Sequence, residues 1–186
     1  ESNIAALNAI AADTTGTLTA SINSLNATEA DGLNTAAGDA ITIALEATGG
    51  VDTATATELL SLDGKTSVNV GAGNVELIQG TIAQMTSVRA GAITLDGDYD
   101  FTQTGGAVDE SHIVNLNAIA TATSGNVTAS LNSLNAAEAN GLSTSGTDDA
   151  ITVTLEISTA VATDLTGIDG KTNVDVNANA VTAINA

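Results

Sequence analysis

The sequence predicts a β/α solenoid: a right-handed stack of about seven strand, turn and short-helix coils, with the strands side by side in a parallel sheet. Three observations lead there. The chain repeats itself, its apolar residues alternate in short runs, and those runs recur at a spacing too long for hairpins. TTGTLTASINSLNATEADGL, from Thr14 to Leu33, returns as TSGNVTASLNSLNAAEANGL, from Thr123 to Leu142. Glu1-Ser2-Asn3-Ile4 likewise returns as Glu110-Ser111-His112-Ile113. From Ile4 to Leu33 the two copies agree at two of every three positions.

Later blocks match as well: DAITIALE at Asp39 with DAITVTLE at Asp149, and LDGKTSVNV at Leu62 with IDGKTNVDV at Ile168. Each block carries a strict alternation. Leu18, Ala20 and Ile22 form one run, Ile41, Ile43 and Leu45 the next, followed by Val68 with Val70 and Ile93 with Leu95. The second copy gives Val127, Ala129 and Leu131, then Ile151, Val153 and Leu155, then Val174 with Val176. A period of two describes strands with one buried and one wet face. Strands are expected to start at Thr17, Ala40, Thr66, Ala92, Asn126, Ala150 and Thr172. Those starts lie about 22 to 34 residues apart, which suits one strand plus a return segment per coil, with strands about 4.8 Å apart along the axis.

The return segments read as helices. IAALNAIAA puts Ile4, Leu7 and Ile10 on one face, and TIAQMTSVRAG does the same with Ile82, Met85 and Val88 before Gly91. Asn26 and Glu29 have capping-box spacing, and TATATELLSLDG is a fourth candidate. The domain reading is a single array over 1–186. Its first copy is 1–80, its second copy is 110–186, and 81–109 is an intervening coil with an acidic insert. Two tandem β-rich domains are the alternative. The chain opens directly on a repeat helix, so the expectation is a mature chain or a piece of a longer array. Neither end reads as a polar cap, and uncovered strand edges and apolar helix faces predict end-to-end self-association.

Composition narrows the function. With 22 acidic residues against 3 basic ones the net charge is −19, which disfavours nucleic acid and anionic surfaces. No apolar run approaches the roughly 20 residues of a membrane span, so no membrane insertion is expected. There is no Cys, and no nucleophile elbow or acid-base pairing stands out, so the chain reads as a non-enzyme that requires no cofactor. Asp96, Asp98 and Asp100 in LDGDYDF have the alternate spacing that opens a calcium loop, and calcium is the one cofactor the sequence raises. A solvated acidic turn is the other reading, since position twelve of such a loop is Ala107. Tyr99 and Phe101, in the longest coil, are expected to form a protruding contact surface.

Lys65 and Lys171 recur in DGKT and are expected to pair with carboxylates near a strand start. A covalent Lys-to-Asn or Lys-to-Asp crosslink is the other chemistry open to those amines. His112 stands where the first copy has Asn3, so no repeated role attaches to it.

The phrases LNAIATATSGNVTASL and DAITVTLE resemble the Ala-, Thr-, Asn- and Asp-rich repeats of very large secreted surface proteins of marine bacteria, a group of adhesins and extracellular matrix proteins. The resemblance implies an extracellular, cell-surface location and a structural or adhesive role as a self-stacking filament module. The competing function is an ice- or surface-binding solenoid whose Thr17, Thr19, Ser21, Thr42, Thr128, Ser130, Thr152 and Thr154 line up in hydroxyl columns. Asn69, Glu46, Glu156 and Asp175 interrupt those columns.

Overall fold

A computed structural model describes residues 2–24, 26–46, 52–133 and 135–186. It divides into two compact units, Glu1–Tyr99 and Asp100–Ala186. The division falls inside the segment 81–109 that the sequence marks as an intervening coil. In the first unit the order is α1 (Ser2–Asp13), β1 (Thr19–Ser24), α2 (Ala27–Ala30), β2 (Ala40–Leu45) and β3 (Thr53–Thr55). It continues with α3 (Ala56–Asp63), β4 (Val70–Ala72), β5 (Leu77–Gly80), α4 (Ile82–Ala90) and β6 (Ile93–Leu95). The second unit has β7 (Asp100–Gln103), a 3-10 turn (Glu110–His112), α5 (Ile113–Ala122), β8 (Val127–Ser133) and α6 (Ala136–Ala139). It ends with β9 (Ala150–Leu155), β10 (Thr159–Val161), α7 (Ala162–Asp169) and β11 (Ala183–Asn185).

The architecture is mixed α/β with parallel sheets. In the first unit β1, β2, β4 and β6 are hydrogen-bonded in that order, with Ser21 beside Thr42, Ile43 beside Val70 and Val70 beside Ile93. A narrower parallel pair joins β3 to β5, with Ala54 beside Ile78. In the second unit β7, β8 and β9 are parallel, with Phe101 beside Val127 and Ser130 beside Thr152. There the narrow pair is β10 with β11. Parallel neighbours need a crossover between them, and the helices fill that role.

The alternation seen in the sequence is the burial pattern of the strands. Ile41, Ile43 and Leu45 are buried around an exposed Thr42, and Val127, Ala129 and Leu131 are buried around Thr128. β-Branched and Leu side chains filling one face supply about 1.5–3 kcal/mol each when fully buried. The expected strand at Thr172 is not formed. One parallel bridge, Thr154 to Asn177, takes its place, because Val174 and Val176 stay half-buried and offer that run little apolar return.

The expected helices are present as α1, α2, α3 and α4. Two carry full capping boxes, Thr55 with Glu58 on α3 and Thr81 with Gln84 on α4. Asn26 caps α2 by accepting from the Glu29 N–H. Where the first copy has Thr55 the second has Val161, so α7 has no side-chain cap.

Candidate functional site

The acidic insert does not form the surface that the sequence reading placed there. Tyr99 is 2% exposed and Phe101 is fully buried, which corrects the expectation of a protruding aromatic contact surface. The physical reason is the period of two. Tyr99 and Phe101 fall on the same side of an extended segment, and in a chain this poor in large side chains that side faces inward. Burial pushes the Tyr99 phenol up, against a smaller opposing pull from Arg89. Asp96 and Asp98 are exposed, whereas Asp100 accepts the Asn126 N–H at 2.7 Å. Among the described residues no group of three or more His, Asp or Glu side chains is arranged to hold a metal ion.

His112, Asp109 and Ser111 form a small cluster in which His112 Nδ1 lies 3.0 Å from Asp109 Oδ1 and 3.2 Å from Ser111 Oγ. Both partners address the same ring nitrogen. A Ser-His-Asp relay needs the hydroxyl and the carboxylate on opposite nitrogens, so this cluster lacks that geometry. Hydrogen bonds from Ser111 and His112 hold the Asp109 carboxyl below the usual range. The cluster also caps the 3-10 turn, through Asp109 and the Ser111 N–H.

What the repeated residues do build is a set of polar locks between segments roughly one repeat apart, formed twice with the same parts. Asp39, at the start of β2, accepts from the Leu18 N–H at 2.7 Å and from the Ala36 N–H at 2.9 Å. Asp149, at the start of β9, accepts from the Val127 N–H at 2.8 Å and from the Ser145 N–H at 2.6 Å. Thr66 Oγ1 receives the Ile41 N–H at 3.0 Å, and Thr172 Oγ1 receives that of Ile151 at the same distance. Asn8 and Asn117 each donate to a glycine carbonyl, Gly32 or Gly141, at 2.9 Å. Each also accepts a backbone N–H, from Asn34 or Ser143, at 2.7 Å. The Asp and Thr side chains satisfy backbone groups that irregular connections would otherwise leave bare in buried or half-buried places, and the two Asn side chains do the same at the surface.

Lys65 and Lys171 complete the locks, with one difference from expectation. Lys65 does reach a carboxylate, Asp31 Oδ1 at 2.5 Å, and also donates to the Asp31 carbonyl at the C-terminal end of α2. Burial pushes the Asp31 carboxyl up, but the Lys65 and Ser61 hydrogen bonds outweigh it and leave the group below its ordinary range. Lys171 meets an amide instead: it donates to the carbonyl of Asn140 and lies 3.1 Å from Asn140 Oδ1. A cation at a helix C-terminus favours the orphan carbonyls there. The sequence reading singled out neither the Asp39 and Asp149 pair nor Asn140. The signal available was that DAIT and the ADGL or ANGL turn recur in both copies.

Backbone N–H groups of Leu18 and Ala36 hold the Asp39 carboxyl below the ordinary Asp range. A group whose folded pKa is depressed contributes fully above its unfolded value of about 3.9 and loses that contribution as pH falls through the folded value. Asp39→Asn is therefore expected to lower the melting temperature at neutral pH and to converge with wild type as acid is added. Melts from about pH 7 to about pH 2 check this; a gap between the two that stays constant contradicts it.

No protein-family model matches the chain, and no curated protein or solved structure matches it at a significant level.

Proposed function

We propose that this chain is a non-catalytic structural module, a right-handed β/α solenoid of about seven coils that stacks end to end as part of an extracellular surface filament or adhesin. The observation that carries the reading is a difference between repeat-mates. On α5 the apolar stripe is buried, with Leu116 and Ile119 at 0% exposure and Ile113 at 7%. On α1 the matching stripe is open: Ile4 and Leu7 are half-buried, and Ile10 is 51% exposed. The same sequence motif thus has one covered and one uncovered form. The natural cover is another coil of the same kind, whether supplied by the same polypeptide or by a second copy.

The parallel pairing supports a stacked coil, since a strand that returns beside itself in parallel after a helical crossover is the coil's own geometry. The secreted surface location rests on the resemblance carried by LNAIATATSGNVTASL and DAITVTLE. Calcium enters this reading as a screening counter-ion for a chain of net charge −19, in common with any divalent cation.

The hydroxyl columns of the ice-binding alternative are short and mixed. Ser21 stands beside Thr42 and Ser130 beside Thr152, but Thr128 stands beside Ala150 and Asn23 beside Ala44. Sedimentation velocity tests the structural reading. The wild-type chain is expected to associate as concentration and salt rise, and Ile10→Glu to abolish association while leaving the melt of the monomer unchanged. Equal association in both contradicts the proposed face.

A further inference from the structure

Three side chains in the second unit converge on one spot: Asn140 at the C-terminal end of α6, Asp164 in the first turn of α7, and Lys171 just beyond α7. Lys171 Nζ donates to the Asn140 main-chain carbonyl and lies 3.1 Å from its side-chain oxygen. On the other side of the same carboxamide, Asn140 Nδ2 donates to Asp164 Oδ1 at 3.2 Å. All three residues are half-buried. Gly167 permits the approach, because a Cβ there would run into the Asn140 carboxamide.

The first copy shows what is special about the second. There Lys65 faces Asp31, an ionised carboxylate with no leaving group, and the two form an ion pair. Glu58, the repeat-mate of Asp164, is occupied elsewhere: it bonds the Thr55 N–H and hydroxyl in the α3 capping box and accepts from Thr28 at 2.6 Å. With Val161 in place of Thr55, α7 has no such box, and Asp164 turns to Asn140 instead. Amine, carboxamide and acid are therefore assembled in the second copy alone.

We propose that Lys171 and Asn140 join in an intramolecular isopeptide bond, with Asp164 protonating the leaving nitrogen. The neutral Lys171 amine attacks Asn140 Cγ, and the Nζ–Cγ bond forms. Nζ releases its proton to solvent, and Asp164, hydrogen-bonded to Nδ2, relays a proton from solvent to that leaving nitrogen. The Cγ–Nδ2 bond then breaks, and ammonia departs. One amine and one primary amide become one secondary amide and one ammonia, so atoms balance without an oxidant or co-reactant. Holding the reactants in contact supplies the effective concentration that such an acyl transfer needs. The nearest competing nucleophile is the Gly141 nitrogen, which would close a succinimide. Its N–H is tied to the Glu138 carbonyl at 2.8 Å. The bond would tie α6 covalently to the segment after α7, and it stands independently of the filament reading.

Intact-mass spectrometry of the whole chain tests the proposal. The expected wild-type mass is below the sequence mass by one ammonia, about 17 Da. Cleavage after Glu138 and Glu156 should yield peptide 139–156 covalently joined to peptide 157–186. Lys171→Arg, which keeps the charge at the helix end, should return to its full sequence mass, and Asp164→Ala should form the bond at least about 100-fold more slowly. The proposal is overturned by a wild-type mass equal to the sequence mass after prolonged incubation near pH 9, where more of any alkyl amine is free. It is equally overturned if the loss persists in Lys171→Arg and hydroxylamine cleaves the chain at Asn140-Gly141, the mark of a succinimide.

Discussion

Asp149→Ala is expected to destabilise the protein by about 2–4 kcal/mol, the range for one buried and one half-buried donor left without their acceptor. Asp149 is 4% exposed and receives the Val127 and Ser145 N–H groups on separate oxygens. Alanine brings no water with it, so the buried Val127 donor stays desolvated, and the Ser145 to Asp149 turn loses its anchor. Asp149→Asn is the informative companion. Its carboxamide offers one acceptor and sets an NH2 against the other donor, so it is expected to recover little of the loss. Urea titrations of the three proteins check this, and a loss under about 1 kcal/mol for alanine would show that the connection reorganises to satisfy itself.

Leu116→Ala on α5 is expected to cost about 2–5 kcal/mol, whereas Leu7→Ala at the matching place on α1 should cost well under half as much. The two leucines occupy the same motif, yet Leu116 is fully buried and Leu7 is half-buried. A truncation removes transfer energy and leaves a cavity only where surrounding atoms enclose the site. Under conditions where the chain associates, the cost of Leu7→Ala should rise toward that of Leu116→Ala, because a covered α1 has the same environment as α5. Equal costs in the dilute monomer would mean that the α1 stripe is already enclosed.

The long strands and the helices were legible because their periodicity is local and strong. DAITIALE and DAITVTLE alternate over enough residues to declare a buried face, and IAALNAIAA declares a helical stripe. The narrow strands β3, β5, β7, β10 and β11 were not legible. Runs of three or four residues such as Thr53–Thr55 are too short for a period to register, and their pairing depends on partners far along the chain. Tyr99 and Phe101 belong inside because their two-residue spacing puts both aromatics on one side, a stronger signal than the length of the coil that carries them.

The locks were half visible. Lys65 and Lys171 recur in DGKT, but their partners Asp31 and Asn140 lie more than thirty residues earlier, and no local pattern joins them. The acyl-transfer geometry is hidden more deeply, since it depends on four coordinated differences between the copies. Asp31 gives way to Asn140, Thr55 to Val161 and Ser61 to Gly167, and the acid itself changes from Glu58 to Asp164. Each looks like ordinary drift in a repeat, and only their meeting at one amide gives them a common meaning.

The proposal that the coils stack continuously is tested most directly by electron microscopy of the concentrated protein in moderate salt. Coils stacked strand on strand predict unbranched filaments with an axial repeat of about 4.8 Å. A field of discrete particles at every concentration and salt, with Ile10→Glu indistinguishable from wild type, would contradict it.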